Sequence, residues 1–169
     1  MCYRKEVSFS DINIPVDEIY SSMGFKNAAP DAETVKTTQE LLVEVPKYLN
    51  LQYEFMILDG ELTDNSCTLF SEKGDSQTFE TGRVIAAQLR RSEQFVAFVA
   101  TVGAGYFKWM DVVEARQDMV QTYISDCIGS QIVESVADYM EQHLQALLDV
   151  KELKRTNRFS PGYCGWLVK

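Results

Sequence analysis

Residues 67–80 place the tightest constraint on how this chain folds. Cys67 to Phe70 and Gln77 to Glu80 flank Ser71-Glu72-Lys73-Gly74-Asp75-Ser76, a polar run with a glycine. Two short segments around such a run read as a β-hairpin, whose strands pair antiparallel. Elsewhere helices and strands alternate along the chain. With a hairpin in the middle of that order, the expectation is an α+β fold, with a mainly antiparallel sheet of four or five strands and helices packed on it. The 169 residues suit one domain with a real core, and are too few for two comfortable ones.

The remaining elements follow from pattern and punctuation. Val7 to Ile14 alternates loosely, which predicts a short strand. Pro15 opens a helix to about Met23 and Gly24 stops it. Asp17 and Glu18 fall in its first turn, where acids favour the helix dipole. Pro30-Asp31 caps a second helix with an apolar stripe of Val35, Leu41, Leu42 and Val45, and Pro46 ends or kinks it. Leu51 to Leu58 reads as a strand, and Asp59-Gly60 as a turn. Thr81 caps a helix through Leu89 that ends in Arg90-Arg91. Phe95 to Val102 is almost wholly apolar and predicts a strand buried on both faces. Asp111 to Cys127 predicts a long helix, interrupted by Gly129. Ser130 caps another from Gln131 to about Val150, on which Ile132, Val136, Met140 and Leu144 recur at helical spacing. Glu134 lies at or beside the margin of that stripe, where an acid is most often a solvated flank.

Charge and cysteines narrow the partners. A formal charge of −9 repels phosphate backbones, so nucleic acid is not an expected partner. No stretch has the length of a membrane span, and the start lacks the apolar run of a signal peptide. Cys2, Cys67, Cys127 and Cys164 have no paired spacing, and the lone His143 completes no usual zinc set with them. Reduced thiols in a cytoplasmic protein are the simplest account. Gly103-Ala104-Gly105 lacks the third glycine of a dinucleotide loop, because Lys108 stands there, and no acidic ribose partner is convincingly placed. It reads as a strand-to-helix turn where backbones pack closely.

The stretch Arg158-Phe159-Ser160-Pro161-Gly162-Tyr163-Cys164-Gly165-Trp166 follows the last helix and a basic link, Lys151 to Asn157. Pro161 fixes φ for the second position of a turn, and Gly162 supplies the φ > 0 that a type II turn needs next. An arginine fork, aromatic planes and backbone groups at a bend suit a ligand with a carboxylate and a flat heterocycle. A surface turn with aromatics tucked under it is the other reading of the same residues.

The run Arg158-Phe159-Ser160-Pro161-Gly162-Tyr163 matches Arg-x-x-Pro-Gly-Tyr, the loop of the reactivation (activation) domain of cobalamin-dependent methionine synthase. It resembles the free-standing versions of that domain. Ile128-Gly129-Ser130 leading into Val133 to Met140 is similar to the helix before the family's loop, and Met23-Gly24-Phe25 to its N-terminal segment. The middle of the chain agrees in element order. The resemblance implies an α+β domain that binds S-adenosylmethionine and presents its methyl group for reductive remethylation of cob(II)alamin. The corrin belongs to a methionine synthase subunit acting in trans, because this chain has no Asp-x-His-x-x-Gly run of its own. The electron comes from a flavodoxin-like donor. The protein's share is positioning, so it is an accessory domain rather than a self-contained catalyst.

Carried over residue by residue, the resemblance implies that Arg158 clamps the methionine carboxylate. The backbone around Ser160, Pro161 and Gly162 bonds the adenine and ribose, and Tyr163 walls the nucleoside. Glu134 serves the ribose or the ammonium, and Asp17 the ammonium. Family members continue past the loop and add a further tyrosine, so the single domain expected over residues 1–169 lacks that C-terminal segment. Cys164 and Trp166 differ from the fused versions, and Cys164 reads as incidental. Two alternatives stand beside this reading: a related module serving another corrinoid methyltransferase, and a non-catalytic interaction domain that has lost the ligand.

Overall fold

A computed structural model describes residues 2–26 and 28–168. The fold is α+β, with five strands in one antiparallel sheet and five helices. In chain order the elements are β1 (Cys2–Val7), α1 (Val16–Ser22), α2 (Ala32–Glu44), β2 (Leu51–Leu62), β3 (Cys67–Phe70), β4 (Ser76–Phe79), α3 (Gly82–Leu89), β5 (Phe95–Thr101), α4 (Gly105–Glu114) and α5 (Met119–Asp149). The strand order is β1-β2-β3-β4, and β5 also pairs with β2. The chain forms two compact units, one of Met1–Tyr3, Phe55–Phe98 and Leu144–Lys169, the other of Arg4–Glu54 and Val99–His143.

The first unit contains the hairpin. β3 and β4 pair antiparallel with Cys67 opposite Phe79 and Phe70 opposite Ser76. Their turn closes through Ser71 N–H to Asp75 O at 2.8 Å, with Gly74 at φ 88°. Buried Cys67, Leu69 and Phe95 form its core, and Leu58, Leu62, Phe79, Leu89 and Ala97 pack around them. Burial pushes the Cys67 thiol up from its ordinary pKa.

Asp59-Gly60 is not a turn. Both residues lie inside β2, where Gly60 faces Leu69 of β3. A Cβ on Gly60 would stand 2.7 Å from the Thr68 carbonyl oxygen and 2.9 Å from the Phe95 ring. The glycine marks a close approach within the sheet rather than a bend. The turn itself is Thr63-Asp64-Asn65-Ser66, with Thr63 N–H donating to Ser66 O at 3.0 Å.

In the second unit the ends of α1 and α2 follow the sequence signals closely. Gly24, at φ 102°, ends α1, and Phe25 N–H returns to Tyr20 O at 3.0 Å. Asp31 caps α2 by accepting from Glu33 N–H and Thr34 N–H at 3.0 and 2.9 Å. The Thr34 bonds hold its carboxyl below the usual carboxylate range. Gly103 and Gly105 join β5 to α4, as a close-packed turn should. A Cβ on Gly103 would meet Asn50 O at 2.8 Å, and one on Gly105 would fall on the Tyr48 carbonyl.

Three further sequence expectations are corrected. The first strand is Cys2–Val7, and a 3₁₀ turn over Phe9–Asp11 occupies the stretch expected to be extended. There the Asp11 carboxylate accepts from Ser8 N–H at 3.4 Å, a local bond that competes with strand pairing. β5 is not buried on both faces, since Val99 is 66% exposed. An antiparallel sheet leaves one face open more readily than a parallel one.

Finally, the helical break lies at residues 115–118 and not at Gly129. Gln117 takes φ 57°, and the Asp118 carboxylate accepts from Val120 and Gln121 N–H at 2.9 and 3.1 Å to start α5. α5 then runs unbroken through Gly129 and Ser130. Ile124, Ile128, Ile132, Val136 and Met140 form its buried stripe. Gly129 is buried against Tyr106 of α4, whose ring a Cβ would strike. The Tyr106 hydroxyl donates to Ser125 O at 3.1 Å, and burial raises its phenol pKa to about 12.

Candidate functional site

The segment 158–166 is built on a sequence of tight turns. α5 ends where Glu152, at φ 57°, lets Leu153 N–H return to Leu148 O at 3.1 Å. An exposed link leads from there to Arg158 and Phe159, both partly buried. Tyr163 N–H then donates to Ser160 O at 3.3 Å with Gly162 at φ 98°. These are the bond and the dihedral that Ser160-Pro161-Gly162-Tyr163 predict for a type II turn.

A second turn follows at once. Trp166 N–H donates to Tyr163 O at 2.9 Å, and the two central residues, Cys164 and Gly165, have φ 51° and 88°. Positive φ at both central positions characterises a type I′ turn. Gly162 N–H closes the pair of turns by donating to Trp166 O at 2.6 Å. Cys164 is therefore not incidental to the backbone, because it holds a left-handed position that side chains disfavour. Gly162 N–H and Ser160 O are engaged within the loop, which leaves the exposed Ser160 hydroxyl and the Tyr163 ring, 65% exposed, facing outward.

The loop is seated on the junction of β4 and α3. The Trp166 ring meets Phe79 edge-on, with centroids 5.9 Å apart at 73°. Gly82, at φ 79°, lies under Gly165, so that a Cβ on it would stand 3.1 Å from Gly165 O. Gly82 N–H donates in turn to Asn65 O at 2.8 Å, in the β2–β3 turn. Sequence reasoning did not find Phe79, Gly82 or the seating role of Trp166. The only local signal was a glycine directly after Thr81, which was expected to cap α3 but whose side chain makes no capping bond there.

The other sequence-predicted residues belong to the second unit. Asp17 is exposed in the first turn of α1. Glu134 is exposed on α5, between half-buried Val133 and buried Ser135. Ser160, Pro161, Gly162 and Tyr163 thus form one turn with Arg158 just before it, whereas Asp17 and Glu134 each stand on a helix. The second unit also holds a polar aromatic cluster that the sequence reading did not single out. Buried Tyr53 has its hydroxyl 2.6 Å from His143 Nδ1, and Lys5 Nζ donates to the Tyr139 hydroxyl at 2.8 Å. That bond raises the Lys5 pKa.

No family model and no curated protein matches this chain. Among solved structures, one that matches is the MetH reactivation domain bound to AdoHcy. The TM-score is 0.64 at 13% sequence identity, and the match covers 96% of this chain. The chain spans 65% of the length of that structure. At this identity the likeness establishes a shared fold. Among the described residues, no helix is long and apolar enough to cross a membrane.

Proposed function

We propose that this chain binds S-adenosylmethionine and serves as a reactivation domain for a cobalamin-carrying methionine synthase subunit in trans. The observation that carries the reading is the agreement of two independent features. The fold matches a reactivation domain bound to AdoHcy over 96% of the chain. The Arg-x-x-Pro-Gly-Tyr stretch forms the turn its residues call for, with Tyr163 N–H on Ser160 O at 3.3 Å.

In this reading Arg158 pairs with the ligand's carboxylate, a task that suits a bidentate guanidinium. Because the turn engages its own Gly162 N–H and Ser160 O, the nucleoside takes the Ser160 hydroxyl, the flat face of Pro161-Gly162 and the Tyr163 ring. When bound, S-adenosylmethionine supplies a methyl group on a sulfonium leaving group. The acceptor is the reduced cobalt of the partner's corrin, with one electron from a flavodoxin-like donor. This chain's residues bind and orient, and no general base is required of them. The chain acts in the cytoplasm.

Calorimetric titration with S-adenosylmethionine tests the proposal. Wild type gives a saturable binding heat, and Arg158→Ala weakens binding by about 2–3 kcal/mol, as loss of a charge-assisted pair should. Equal affinities remove Arg158 from the site. No heat from wild type favours the interaction-domain alternative.

A further inference from the structure

We infer that Trp166 is a positioning residue for the loop, a latch that holds the Ser160–Tyr163 turn and the Tyr163 ring in the geometry that takes the ligand; this rests on the binding reading above. Four contacts converge on the latch. Its backbone N–H and C=O tie both turns, to Tyr163 O at 2.9 Å and from Gly162 N–H at 2.6 Å. Its ring stands edge-on to Phe79 at 5.9 Å. The residue before it, Gly165, rests on Gly82 with only 3.1 Å to spare for a Cβ. The side chain that performs this is the partly buried member of an otherwise exposed run from Ser160 to Val168.

The alternating constraints explain why the latch has to be an aromatic ring. Pro161 and the positive φ values of Gly162, Cys164 and Gly165 shape the turns locally. The attachment to β4 and α3 comes from the Trp166 ring and the Gly82–Gly165 approach. Without the ring the turns keep their local form but lose their contact with β4, and the exposed Tyr163 ring between them loses its fixed direction. An edge-on aromatic pair is worth a factor of roughly two to ten in such an equilibrium. A ligand that binds only the seated loop then loses affinity by the same factor.

The test uses the full chain labelled with 5-fluorotryptophan, which gives two fluorine resonances, for Trp109 and Trp166. Adding S-adenosylmethionine shifts the Trp166 resonance and leaves that of buried Trp109 in place. Trp166→Ala weakens binding by roughly two- to tenfold with an unchanged Trp109 resonance, whereas Trp166→Phe restores most of the affinity. Gly82→Ala, which crowds Gly165 O at 3.1 Å and strains a backbone at φ 79°, weakens binding in the same direction. Wild-type binding with Trp166→Ala at equal affinity, or with no shift at Trp166, overturns the latch and leaves the binding reading intact. A wild-type chain that binds no S-adenosylmethionine removes both.

Discussion

Replacing Gly129 with alanine sets two effects of opposite sign against each other. Helix propensity favours the change by about 1 kcal/mol in a helix interior. The structure opposes it, because the new Cβ would stand 2.5 Å from Tyr106 Cε2 and closer still to Cζ and the hydroxyl. The ring cannot swing aside cheaply. It is 9% exposed, and its hydroxyl holds Ser125 O at 3.1 Å. Overpacking of this kind costs roughly 1–3 kcal/mol, and losing the buried hydrogen bond adds about 1 kcal/mol. The steric side wins, so Gly129→Ala destabilises by about 1–3 kcal/mol. Urea unfolding followed by circular dichroism reads this as a midpoint lowered by roughly 0.5–1.5 M with unchanged slope. In a Tyr106→Ala background the space is open, and the same Gly129→Ala change raises the midpoint by the propensity gain. A rise in midpoint for the single variant would show that α5 does not pass Tyr106 at Gly129.

Two further predictions concern stability. The Arg116 guanidinium, 2.6 Å from Glu44 Oε1, holds the Glu44 carboxyl below its usual range. Its contribution is therefore complete above the unfolded carboxylate pKa of about 4.3, and is lost as pH falls through the lower folded value. Both side chains are partly exposed, so Glu44→Gln lowers stability at neutral pH by about 0.5–1 kcal/mol and flattens the acid limb of a thermal-midpoint profile. An unchanged limb contradicts the pairing. Asp118→Ala removes the cap that accepts two N–H groups at the start of α5. It should lower stability by about 1 kcal/mol, with Asp118→Ser restoring most of it in chemical denaturation.

Elements whose signals are local were legible in the sequence. The hairpin, the Asp31 cap, the Gly24 stop and the Ser160–Tyr163 turn each depend on residues within one turn of themselves. Glycine was the recurrent difficulty. Gly24 and Gly162 act through φ, at 102° and 98°, and the sequence reads such positions well. Gly60 and Gly129 act by letting another element approach, Phe95 in one case and Tyr106 in the other. Nothing near them in sequence announces those partners, so a strand and a helix were broken where they run on. The true helix start at Asp118 did carry a signal, since Gln121 follows it three residues later, as in a capping box. The candidate site divides in the same way. Arg158 to Tyr163 was legible as a bend, whereas its seat on Phe79 and Gly82 lies far away in sequence.

The Arg158–Trp166 bend is the proposed receiver of S-adenosylmethionine. Backbone and indole amide resonances of the ¹⁵N-labelled chain, recorded as that ligand is added, test it most directly. The account predicts saturable shifts concentrated at Ser160, Gly162 to Gly165 and the Trp166 indole, with the Arg158 side chain among them. Shifts that spare this bend and gather elsewhere, for instance around the hollow lined by Val7, Phe9, Pro46, Leu49 and Leu51, would contradict it.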